Sequence, residues 1–75
     1  QSGTYQAIYN IIAASDTPLS RTDIAVRGQM RVATVCGRIA ELREAGVVSV
    51  VGTKFDTDSK RDVEILSNNF GDNSE

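Results

Sequence analysis

The side chains with outward-reaching chemistry in this chain are its arginines and lysines, and five arginines gather in one stretch. Between Arg21 and Glu44 stand Arg21, Arg27, Arg31, Arg38 and Arg43 against Asp23, Glu41 and Glu44, a local excess of two positive charges. Such a cluster suits a polyanion. A guanidinium offers a planar fork of donors; if these residues lay on a helix that enters the major groove, Arg38 could pair with a guanine edge while Arg31 or Thr34 held a phosphate. A competing reading keeps Arg38 at home, paired with Glu41 three residues on in a solvated contact worth little. Ala33, Gly37 and Ala40 make a strip of small residues that would let a DNA backbone or another protein approach closely, although Gly37 lowers helix propensity. A second basic group, Lys54, Lys60 and Arg61, is offset by Asp56, Asp58 and Asp62. It reads equally as a phosphate clamp and as a solvated loop.

Other chemistries find few residues to use. The chain has no histidine and a single cysteine, so neither a nucleophile–base pair nor a thiolate metal site can be assembled, and no enzyme is expected. Asp56-Thr57-Asp58 has the spacing that opens a calcium loop, but Arg61 and Ser67 stand where that loop needs glycine and glutamate. Neither a metal, a cofactor nor a small-molecule ligand is expected. Cys36 reads as a buried or half-buried filler rather than a redox sensor. No intrachain disulfide can form, which points to a reducing cytoplasm. The apolar runs fall far short of the roughly 20 residues a membrane helix needs, and no signal-peptide layout opens the chain.

Seventy-five residues, 40% hydrophobic and 24% charged, are enough for one globular domain and too apolar for a disordered chain. The net charge of -2 argues against indiscriminate coating of nucleic acid. Asp72 and Glu75 account for it, leaving residues 1–71 neutral.

The elements that must position the arginines follow from periodicity. Tyr5, Ile8, Tyr9 and Ile12 share one helical stripe, predicting a first helix over residues 5–14, with the tyrosines in the core and their hydroxyls reaching the surface. Ser15-Asp16-Thr17-Pro18 stops it, leaving an extended piece at Pro18 and Leu19. Ser20 with Asp23 three residues on reads as a capping box, flanked by Leu19 and Ile24 at the staple positions. The short second helix ends near Val26 or Arg27, where Gly28 allows a sharp change of direction. Val32, Val35, Ile39 and Leu42 predict a third helix over residues 32–45 with those four facing the core. Gly46 suits the left-handed position after it, with Val47 folding back on Leu42. Residues 47–51 and 62–66 then read as an antiparallel hairpin joined by a long polar loop, 52–61. Residues 67–75 are expected to be a flexible acidic tail.

The order of helix, extended piece, helix, turn, helix and hairpin resembles the winged helix-turn-helix family of bacterial and phage regulators. The resemblance covers about residues 5–66. It is densest at Pro18-Leu19-Ser20-Arg21-Thr22-Asp23-Ile24-Ala25 and at Thr34-Val35-Cys36-Gly37-Arg38-Ile39-Ala40-Glu41-Leu42-Arg43-Glu44-Ala45-Gly46-Val47-Val48. In that family a small residue such as Ala25 lets the second helix approach the third, and an apolar residue ten positions on, here Val35, plugs the angle. Gly28 stands where the family usually has leucine, and Gln29 where it usually has a turn glycine. The resemblance implies an α+β fold: a winged helix-turn-helix domain over residues 1–66, a three-helix bundle with a C-terminal hairpin wing. It implies sequence-specific binding of double-stranded DNA by a transcriptional regulator. Arg31, Ala33, Thr34, Gly37 and Arg38 would face the major groove, Lys54, Lys60 and Arg61 of the wing would reach the backbone or minor groove, and Arg21 would add to the basic surface. One such domain buries little DNA, so a homodimer or a protein partner enters the reading. Winged helices also serve as protein-binding adaptors, in replication or transcription machinery for instance, and that is the alternative.

Overall fold

The computed structural model describes residues 3–69. The expected tail acids Asp72 and Glu75, together with Gln1, Ser2 and Phe70, lie outside the described residues. In chain order the elements are α1 (Gly3–Ala14), β1 (Leu19–Ser20), α2 (Arg21–Gly28), α3 (Val32–Glu44), β2 (Val48–Asp56) and β3 (Arg61–Asn68). Three helices thus pack with a three-stranded antiparallel sheet of order β1-β3-β2. This small α+β arrangement is compatible with a winged helix.

Each helix is ended by local chemistry. After α1, the Ser15 hydroxyl donates to the Thr17 carbonyl at 2.6 Å and accepts the Thr17 N–H at 3.2 Å, a turn that Pro18 then extends. α2 opens with the full capping box: the Asp23 N–H donates to Ser20 Oγ and the Ser20 N–H to Asp23 Oδ2, each at 3.1 Å. α3 closes as a Schellman motif, with Gly46 at φ 81°, its N–H donating to the Arg43 carbonyl and that of Val47 to the Leu42 carbonyl.

α2 ends in the same pattern, and here the expected turn residue is displaced by one. Gly28 stays helical, and Gln29 takes the left-handed conformation at φ 55°, ψ 48°. The Met30 N–H reaches back to the Ala25 carbonyl at 3.0 Å. Gly28 serves packing instead: a Cβ there would sit 2.5 Å from the Met30 methyl and 3.1 Å from Ile11 Cδ1.

Ile8, Ile24, Val35, Ile39, Leu42 and Leu66 are fully buried and form the centre of one core shared by the helices and the sheet. Val32, expected among them, is 44% exposed. It lies at the open first turn of α3, at the rim of the stripe centred on Val35, Ile39 and Leu42. Cys36, expected to be at least half-buried, is exposed, because one residue past Val35 is about 100° further round the helix.

The sheet differs from expectation in three ways. β1 is a third strand, pairing Leu19 with Leu66 and Ser20 with Ile65. The long loop 52–61 does not exist: β2 and β3 remain paired through Phe55 with Asp62 and Asp56 with Arg61, leaving a turn at residues 57–60. That turn closes by the Lys60 N–H donating to the Asp56 carbonyl at 2.7 Å, and by the Ser59 N–H and hydroxyl donating to Asp56 Oδ2. This outer ribbon is solvated, so no apolar alternation marks it as strand. A bulge between Val50 and Gly52 shifts the register where the ribbon leaves the core. Finally, residues 67–69 belong to the folded unit rather than to a tail beginning after Leu66. Asn69 donates its N–H to the Val47 carbonyl and its amide to the Gly46 carbonyl, and Asn68 donates to the Tyr9 hydroxyl. No helix among the described residues is long and apolar enough to cross a membrane.

Candidate nucleic-acid interface

The buried stripe of α3 turns its other faces outward. Arg31, in extended conformation just before the helix, Ala33, Thr34 and Gly37 are all exposed. A Cβ on Gly37 would meet nothing within 4 Å, so no packing demand inside the fold accounts for the glycine. Arg38 is half-buried and pairs with Glu41 at 3.0 Å, the local contact anticipated from their spacing.

The remaining basic residues divide into engaged and free. Arg21 Nη1 contacts Glu64 Oε1 at 2.9 Å, joining the first residue of α2 to β3. Lys54 Nζ contacts Asp23 Oδ2 at 2.6 Å, joining β2 to α2. Arg27, Arg31, Arg43, Lys60 and Arg61 make no ion pair among the described residues, and Lys60 sits at φ 60° in the hairpin turn. Of the nine expected contact residues, then, Arg21, Arg38 and Lys54 already hold internal partners. Nothing in the sequence pointed to Glu64 as the partner of Arg21, or to Asp23 as that of Lys54.

These elements enclose a groove of about 370 Å³. Val32 and Cys36 of α3 line it, with Arg61, Asp62, Val63 and Glu64 of β3, and Arg21 and Thr22 of α2 also border it. The fold therefore brings Arg21 and Arg61 to the start of α3, while Lys54 and Lys60 lie outside the groove. On the far side of Val32, a second hollow of about 380 Å³ opens at the junction of α2 and α3, where Arg31 lies.

Two carboxylates are held in their charged form. Partial burial pushes the Asp23 carboxyl up, but the Lys54 ammonium and the Ser20 N–H and hydroxyl together hold it below the ordinary aspartate value of 3.8. Asp56 is lowered chiefly by the Ser59 hydroxyl. Its carboxylate closes the hairpin turn, and among the described residues no group of three His, Cys, Asp or Glu is placed to hold a metal ion. Comparison of the chain with protein-family models, curated proteins and solved structures finds no match.

Proposed function

We propose that this chain is a winged helix-turn-helix domain that binds double-stranded DNA, with α3 as the recognition helix and the β2–β3 hairpin as the wing. The observation that supports this reading best is the groove that the exposed start of α3 and Arg61 of the hairpin line together. A phosphate backbone entering such a groove would meet the free charge of Arg61, with Lys60 next to it in the hairpin turn and Arg31 beyond Val32 as further cations for flanking phosphates, while Ala33, Thr34 and Gly37 face the base edges. Arg38 can still serve. A half-exposed i,i+3 pair is worth about 0.2–0.5 kcal/mol, so its guanidinium can exchange Glu41 for a base or a phosphate at small cost. Arg21 and Lys54 are engaged between elements instead, joining α2 to the hairpin in pairs of similar exposure.

The role this reading implies is non-enzymatic, that of a bacterial or phage transcriptional regulator at work in the cytoplasm. A second copy or a protein partner would supply the contact area that one small domain lacks. Titration with duplex DNA at low salt, followed by chemical-shift mapping, tests the reading. Shifts are expected over residues 31–38 and at the 57–61 end of the hairpin. Absence of binding, or shifts confined to α1, would replace DNA by a protein partner.

A further inference from the structure

Two of the large apolar side chains that the fold leaves in water stand side by side. Val26 on α2 is 72% exposed and Val32 on α3 is 44% exposed. Both line the hollow at the α2–α3 junction, with Ala25, Met30, Gln29 and Arg31. The fold gains little from valine at either place, since burial is what rewards an apolar side chain and valine is a mediocre helix former. Cations stand on either side of the pair: Arg31 lines the same hollow, and Arg27 lines a neighbouring one that Val26 also borders, where the Asp23 carboxylate is taken up by Lys54; neither arginine makes an ion pair among the described residues. An apolar centre flanked by cations complements a surface that sets apolar groups between anions. The DNA major groove is such a surface, with thymine C5-methyl groups on its floor and phosphates along its edges. Hydrogen-bond readout from the neighbouring positions is sparse, because of Ala33, Thr34 and Gly37 only Thr34 carries a side-chain donor.

Resting on the DNA reading above, we infer that Val26 and Val32 read thymine methyl groups, with Arg27 and Arg31 on the flanking phosphates. Preference for thymine at the contacted steps is then set by apolar contact rather than by an arginine on guanine. The test uses duplexes that the full chain enriches from a random pool, resynthesised with uracil in place of thymine, which removes the methyl groups and nothing else. Affinity should fall about fourfold for each methyl contacted, the equivalent of one buried CH₂. In the double variant V26A/V32A, both forms should bind alike; the two sites are exposed, and a melting curve checks that the fold persists. Equal binding of thymine and uracil duplexes by the parent chain overturns the inference while leaving DNA binding intact. A thymine preference that survives undiminished in the double variant overturns it too. Failure to enrich any duplex overturns the DNA reading itself.

Discussion

Asp23 Oδ2 accepts from two directions, from the Ser20 N–H at 3.1 Å and from Lys54 Nζ at 2.6 Å. One carboxylate oxygen therefore both caps α2 and anchors β2. Because the folded chain holds this group below its ordinary value, its contribution to stability is fully present above 3.8 and is lost as pH falls through the lower folded value. Urea midpoints measured from about pH 5 down to about pH 2 should fall, and Lys54→Met should fall less steeply than the parent. Parallel pH profiles for the two proteins would remove Lys54 from this role.

Gln29 and Gly46 occupy the same left-handed position at the ends of α2 and α3, at φ 55° and 81°. An L side chain there costs about 1–2 kcal/mol, so Gln29→Gly should stabilise the domain and Gly46→Ala destabilise it, each by about 1 kcal/mol. A Cβ on Gly46 meets nothing within 4 Å, so its cost is backbone alone. Thermal melting should show opposite shifts of about 4–8 °C. Shifts of the same sign would contradict this account of the two turns.

Glu41 holds Arg38 and places a negative charge beside it, in competition with any DNA that the proposed recognition helix would meet. Glu41→Gln should leave the melting temperature nearly unchanged and tighten DNA binding. Replacing Lys60 and Arg61 together by alanine should weaken binding about equally on all sequences and make log K against log salt shallower by about 0.9 for each phosphate no longer neutralised. Sequence preference should survive in the second variant. If neither variant alters binding at fixed salt, α3 and the hairpin are not the surface that DNA meets.

Val35 is fully buried in the core against which all three helices pack. Val35→Asp would place an unpaired carboxylate there at a cost of several kcal/mol, enough to unfold a domain of this size. Circular dichroism should show loss of helix. A native-like melt would contradict the burial of this face of α3.

What could be read from the sequence is what closes within a few residues. The apolar stripes of α1 and α3, the Ser20–Asp23 capping box and the Gly46 closure each join positions within five residues of one another, so spacing alone announces them. The local Arg38–Glu41 pair was legible for the same reason.

What needed the tertiary structure joins residues far apart in the chain or depends on which side of an element faces water. Leu19 becomes a strand only because Leu66 lies beside it, and the polar segments 52–56 and 61–65 stay paired across the bulge because the ladder that starts at the core resumes at Gly52 in a register shifted by one residue. Gln29 is forced left-handed because the chain must turn there from α2 into α3, whatever its own preference, while Gly28 is claimed by Met30 and Ile11. The division of the site is of the same kind. Arg21 and Lys54 are engaged because packing of the hairpin against α2 brings Glu64 and Asp23, 43 and 31 residues from their partners, beside them, and among the described residues no carboxylate is brought to Arg31 or Arg61 in the same way. Composition counts those charges but does not place them, and in a nearly neutral chain it is placement that decides which cations remain for a ligand.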